Sequence, residues 1–219
     1  MKAGAPAIVW TMAALFVGIE ALLAASDLGL APQGLRFEAY RSFAFFDLWF
    51  AAFLAGQNVP INFYLSFFTH AFLHGGFLHL AMNTAVFLAL GAHMCRAVGT
   101  GGMLAIFFAT AAAGALAFGL IADTGLAFVP MVGCSGALFG FLGAMKRWEW
   151  RYISAHELPK KRFWSTMGGI VLVNLLLSVS FGATGGGGVA WEAHLGGFVG
   201  GWLAAGLLTP RRGTAIGPI

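Results

Sequence analysis

PMVGCSGALFGFLGAM, residues Pro130 to Met145, reads almost wholly apolar, yet it carries Ser135 inside Gly133-Cys134-Ser135-Gly136. Further along, WEAHLGGFVGGWLAAGLL, Trp191 to Leu208, carries a single histidine, His194. A hydroxyl and an imidazole on membrane-length apolar helices cost free energy unless they face each other or line a wet cavity, so each marks a site. Together they place chemistry inside a bilayer.

Composition agrees with a membrane setting. Of 219 residues, 59% are hydrophobic and 9% charged, whereas a soluble surface draws on a chain about a quarter charged. A bilayer core of about 30 Å needs roughly 20 helical residues. Six apolar stretches approach that length: Pro6 to Ser26, Phe77 to Cys95, Gly102 to Ile121, Pro130 to Met145, Phe163 to Phe181 and Trp191 to Leu208. The expected fold is an all-α membrane bundle of six transmembrane helices forming one domain over residues 1–219.

The 32 glycines suit helices packed through small residues. Gly136 and Gly140 on the fourth helix, with Gly196, Gly197, Gly200 and Gly201 on the sixth, would let those helices touch and bring Ser135 to His194. The long connection between helices one and two mixes Phe43, Phe45, Phe46, Trp49, Phe50, Phe53, Phe63, Tyr64, Phe67 and Phe68 with Asp47, Gln57, Asn58, Pro60 and Asn62. It is too broken to span, so short interfacial helices at headgroup level are expected there.

The net charge of +4 is segregated along the chain, which argues against nucleic acid and for the positive-inside rule. Lys2, Arg96, the run from Lys146 to Arg162, and Arg211 with Arg212 share one side if there are six spans. Both termini are therefore expected in the cytoplasm, with the basic run a solvated loop. Glu20 inside the first apolar run argues for a retained helix over a cleavable leader. The stretch from Gly182 to Gly188 reads as a flexible connector.

With that orientation helices two, four and six all enter from the outer side. His79, Asn83, Ser135 and His194 then lie at similar depth. Ser135 needs a base for its proton and donors for an oxyanion. His194 is the candidate base. The Ser135 N–H, in a first helical turn, and the side chains of His79 and Asn83, four apart on one helix face, are candidate oxyanion donors. No acidic residue is placed to orient His194, so a Ser–His dyad is expected. Gly133 permits close backbone approach, Gly136 removes a side chain between helices, and Phe139, one turn on, would restrain the imidazole. Cys134 points about 100° away from Ser135 and reads as packing. His70, His74 and His79 form a rival zinc set, but no HExxH or aspartate pair accompanies them and no metal is expected.

These motifs resemble those of the rhomboid intramembrane serine proteases: Gly133-Cys134-Ser135-Gly136 matches GxSG, Ala193 to Gly197 matches AHxxG, and His74 to Asn83 matches HxxxxHxxxN. The resemblance implies a serine nucleophile at Ser135, a general base at His194, an oxyanion site from Ser135 N–H, His79 and Asn83, and support from His74 and Gly197. It implies transmembrane proteins in the lipid bilayer as substrates, no cofactor, and a bacterial inner membrane as location. Catalytically dead relatives that bind client helices are the other reading. Three family features depart: Leu65-Ser66 stands where many members have Trp-Arg, Cys95-Arg96-Ala97 where many have Glu-x-Arg, and Phe139 where tyrosine is common.

Overall fold

A computed structural model describes residues 5–122, 129–182 and 189–211. The first helix, α1, is Ala7–Asp27; three short helices follow, α2 (Leu35–Phe43), α3 (Asp47–Leu54) and α4 (Ile61–Thr69), the last running into a 3-10 turn, His70–Phe72. The long helices are α5 (Phe77–Ile121), α6 (Ser135–Ala155), α7 (Lys161–Gly182) and α8 (Trp191–Ala204). The molecule is an all-helical membrane bundle.

At about 1.5 Å per residue, the 45 residues of α5 exceed twice the bilayer core. The helix breaks at Gly99, whose φ of 78° and ψ of 171° are non-helical, so its two legs are the expected second and third spans. Gly99 tolerates that positive φ because it has no Cβ. Its backbone also lies against the Arg211 guanidinium, and Arg211 N–H donates to Ala97 O at 2.8 Å.

Three boundaries differ from the sequence expectation. The fourth span does not begin at Pro130: Met131 is extended and exchanges backbone hydrogen bonds with Phe45 at 2.8 and 3.1 Å, which delays the helix to Ser135. Nor does it end at Met145. It runs on to Ala155, because Lys146, Arg147, Glu149 and Arg151 are good helix formers, and much of the expected basic loop is helical. The sixth span stops at Ala204 instead of Leu208, in turn hydrogen bonds from Ala205, Gly206 and Leu207 N–H groups. The predicted connector lies outside the described residues except for Gly182.

Tight packing centres on α8. A Cβ added to Gly197 or Gly201 would overlap the carbonyl oxygens of Gly136 and Gly140 on α6, and one on Gly143 would overlap Phe198 O. Gly196 and Gly200 do not join that face; they press on Ala113 in the second leg of α5. Gly114 on that leg would place a Cβ 2.9 Å from Ala193 O. The sixth helix is thus gripped on two sides. In lipid, where apolar surface gains little by leaving hydrocarbon, such close backbone approach is what holds helices together.

The segment between α1 and α5 splits its aromatics. Phe45, Phe46, Phe50 and Phe63 are buried within the protein, whereas Phe43, Phe53, Tyr64 and Phe68 are exposed. The expected headgroup-level position therefore suits only half of them, since Phe45, Phe50 and Phe63 cluster with Phe118 and Met131, and Phe46 with Leu23 and Leu73. With no Trp-Arg pair present, this segment is tied by Arg36. Its guanidinium meets Glu20 of α1 through both terminal nitrogens at 2.9 and 3.2 Å, Asp27 at 2.6 Å and the His74 carbonyl at 3.3 Å. Tyr40 donates to the same carbonyl at 2.8 Å. Buried Glu20 thus anchors this segment to α1.

Candidate active site

Extended residues before Ser135 make that serine the first residue of α6, with Cys134 at the N-cap. Its N–H therefore belongs to the first four amides of the helix, which have no intrahelical acceptor and carry partial positive charge. The Gly136 and Gly197 contact brings α8 against this turn, so that His194, only 2% exposed, sets Nε2 2.7 Å from Ser135 Oγ. Phe139 stacks on the imidazole with ring centroids 4.2 Å apart and planes within 5°. The ring is held in one plane.

On its far side, His194 Nδ1 lies 2.6 Å from Asn174 Oδ1 of α7. Sequence reading missed this residue. Asn174 sits alone in a run of valines and leucines, and the rule that a polar side chain in an apolar span marks a site would have found it.

His79 and Asn83 project from the first turns of α5 toward Gly133, two residues before the serine. A Cβ on Gly133 would lie 2.7 Å from His79 Nε2 and 3.4 Å from Asn83 Nδ2. Gly133 also has a φ of 111°, so both its conformation and its space exclude a side chain. His79 Nδ1 accepts the Gly75 N–H at 3.1 Å, which leaves the proton of a neutral imidazole on Nε2, the atom facing Gly133. Asn83 Nδ2 is buried and has no hydrogen-bond partner among the described residues. A buried N–H without an acceptor is costly, and that Asn83 donor, with the His79 Nε2–H and the Ser135 N–H beside it, forms a place for negative oxygen.

His74 is fully buried, its ring centroid 5.3 Å from that of His79; its backbone carbonyl takes the Arg36 and Tyr40 bonds. His70 Nδ1 meets Ser66 O at 2.8 Å, and its carbonyl accepts the Gly133 N–H at 2.9 Å. Burial pushes His70 down to about 4, and burial together with the neighbouring His79 pushes His74 down to about 3. Both are neutral near pH 7, and the His70 carbonyl holds the backbone at Gly133. Cys134 Sγ is buried and faces His74 Nε2 at 3.9 Å, away from His194.

Residues 62–211 match the family model for the Rhomboid domain. Rhomboid protease GluP of Bacillus subtilis (strain 168) is 31% identical over 145 residues, covering 66% of this chain and 26% of that protein. An uncharacterized protein of Mycobacterium leprae (strain TN) is 33% identical over 153 residues, 65% of this chain and 55% of its own length. RHOMBOID-like protein 5 of Arabidopsis thaliana is 32% identical over 139 residues, covering 64% of this chain and 42% of its own. The chain therefore spans between about a quarter and just over half of the curated relatives it matches. With the domain model matching more than half of its residues, this chain belongs to the rhomboid family.

Proposed function

We propose that the chain is an intramembrane serine protease that hydrolyses peptide bonds in or near transmembrane segments of other membrane proteins. The observation that carries the reading is the buried 2.7 Å approach of His194 Nε2 to Ser135 Oγ at the start of α6, next to the buried Asn83 Nδ2, which has no acceptor among the described residues. Membership of the rhomboid family and the similarity to a protein named a rhomboid protease support the same chemistry.

In this mechanism Ser135 Oγ attacks the scissile carbonyl carbon while its proton passes to His194 Nε2. The carbonyl oxygen, now negative, accepts hydrogen bonds from the Ser135 N–H, His79 Nε2–H and Asn83 Nδ2–H. Loss of one such donor costs about 10²–10³ in rate in serine proteases. Collapse of the tetrahedral intermediate expels the amine, which takes the proton from His194, and leaves an ester on Ser135. A water then gives its proton to His194 as its oxygen attacks the ester, and return of that proton to Ser135 Oγ frees the acid product. No step calls for a cofactor.

A dyad working within a bundle needs its substrate delivered by the bilayer, so the proposed partners are transmembrane proteins. The charge distribution supports a multi-pass protein of a bacterial inner membrane, with both ends of this chain in the cytoplasm and the Ser135 end of the bundle facing outward.

Ser135→Ala and His194→Ala are expected to abolish cleavage of a single-span reporter while the protein still inserts and folds. A fluorophosphonate should label the wild type and not Ser135→Ala, with activity unchanged by chelator. Cleavage by the Ser135→Ala protein overturns the proposal, and a folded wild type that neither cuts nor labels identifies an inert client-binding relative.

A further inference from the structure

We propose that Asn174 is a positioning residue for the base, making the catalytic arrangement Ser135–His194–Asn174, with its third member supplied by α7. The inference rests on the serine protease reading above and goes further by assigning what sets the histidine.

Asn174 Oδ1 is an acceptor only, and it lies 2.6 Å from His194 Nδ1. A hydrogen bond forms there only if the imidazole carries its proton on Nδ1. A neutral ring protonated on Nδ1 presents a bare lone pair at Nε2, the atom 2.7 Å from Ser135 Oγ. That is the tautomer able to take the serine proton. The opposite tautomer would point an N–H at Ser135 and be useless as a base. When His194 accepts the proton, the cation gains its charge on a ring already bonded to the amide oxygen, and a charge-assisted hydrogen bond is stronger than a neutral one.

Among the described residues nothing else near the ring does this. Phe139 stacks on its face and fixes the plane of the imidazole without distinguishing its two nitrogens. Rotation of the ring within that plane is stopped by Asn174. In proteases with an aspartate in this role, spoiling the tautomer lowers kcat about 10⁴-fold. A neutral amide contributes orientation without charge, so a smaller dependence is expected here.

The donor helix matters. Only 6% of the apolar window of α7 is buried within the protein, against 39% of that in α5. The base is therefore oriented from the least embedded long helix, and His194 is set only while α7 is seated on α8.

Two readings test the proposal. In 15N spectra of the wild type in detergent, with His194 identified by its loss in His194→Ala, His194 should be protonated on Nδ1 at neutral pH. A resonance pattern with the proton on Nε2 overturns the proposal without any variant of Asn174. In kinetics, Asn174→Leu, of similar size but without an acceptor, should lower kcat and the rate of fluorophosphonate labelling about 10- to 100-fold, with KM changed less than about threefold. Asn174→Asp, which keeps the acceptor, should restore both to within about threefold of the wild type. Equal loss in the Leu and Asp variants, or a Leu variant labelling at the wild-type rate, shows a spacer and not a positioning residue. Failure of the protease reading looks different, because then the wild type itself neither labels nor cleaves.

Discussion

Helices α7 and α8 both carry a residue of the candidate site, but they are held by opposite means. Around α8, glycine meets backbone on two sides: Gly197 and Gly201 against α6, Gly196 and Gly200 against α5. There is no room for a single methyl group. Around α7, Gly168 and Gly169 would each meet nothing within 4 Å if given a Cβ, and Val171, Leu172, Val173, Leu175 and Leu176 are exposed. What ties α7 among the described residues is side chains. Lys146 of α6 bonds both its helix-mate Glu149 and Thr166 of α7 toward the basic end, where Phe163 of α7 is buried against Trp150 and Trp202, and His194 bonds Asn174. A helix that carries the base is fixed by backbone shape, and a helix that only orients it is fixed by a few side-chain contacts. The lesson is that the rigid part of the chemistry is built on interlocked backbone, where a sub-ångström position is enforced by overlap, while the adjustable part is left on side chains that can part and rejoin.

The largest effect should come from breaking the interlock. Gly197→Val places a branched side chain where even a Cβ overlaps the Gly136 carbonyl, so α8 must move off α6. Overpacking of a close backbone contact costs about 3 kcal/mol or more. Because Gly136 follows Ser135, the same shift separates the nucleophile from His194. Both the unfolding midpoint in detergent and reporter cleavage should collapse together. A variant that keeps its midpoint shows that α8 can shift freely, and the contrast with α7 then disappears.

Much of this was legible in the sequence because its causes are local. Ser135 and His194 stand out as polar groups in apolar spans, and small residues repeating on one face of Trp191 to Leu208 imply close helix contact. The partition of those glycines between two neighbours was not legible, since Gly196 and Gly197 are adjacent in sequence and only the three-dimensional arrangement decides which helix each meets. The start of α6 was hidden for a similar reason. Met131 is extended because Phe45, far away in the chain, pairs with it. The helical run through Lys146 to Arg151 is hidden in the sequence because its charges suggest a solvated loop, whereas Lys146 and Glu149 are buried and pair with each other. Asn174 is hidden because a carboxylate is the usual orienting partner of a catalytic histidine, yet an amide oxygen accepts the same hydrogen bond.

That buried pair gives the next effect in size. Lys146→Met leaves Glu149, 3% exposed on its side chain, with no cation beside it, and removing one partner of a buried ion pair typically costs about 3 kcal/mol or more. Lys146→Met combined with Glu149→Leu should recover most of that loss, since replacing both charges by apolar groups is often close to neutral. Thr166 keeps its own bonds to Arg162 and Phe163 carbonyls, so α7 stays helical in either case. The expected signature is a large drop in the midpoint for the single variant, a small one for the double, and a lower fluorophosphonate labelling rate in both, because the inner tie of α7 is gone. If the double variant labels at the wild-type rate, the Asn174 bond and the packing of Phe163 suffice to seat α7.

The smallest effect has the opposite sign, and it sharpens the contrast most. Gly168→Ala and Gly169→Ala add methyl groups that touch nothing in the protein, in the interior of a helix where alanine is preferred to glycine by about 0.5–1 kcal/mol each in water. Folding should be unchanged or slightly improved in both, and reporter cleavage should stay near the wild-type rate. The same substitution at Gly200 or Gly196 on α8 would meet Ala113 and be destabilising. The gain on α7 should be below the aqueous value, because glycine in a bilayer has no water to solvate the unfolded backbone and the chain stays helical before it packs. Two glycine-to-alanine pairs, one on each helix, therefore isolate the cost of contact from the cost of helix formation: the difference between them is contact alone, and if it falls below about 1 kcal/mol the interlock around α8 is not what holds His194 in place.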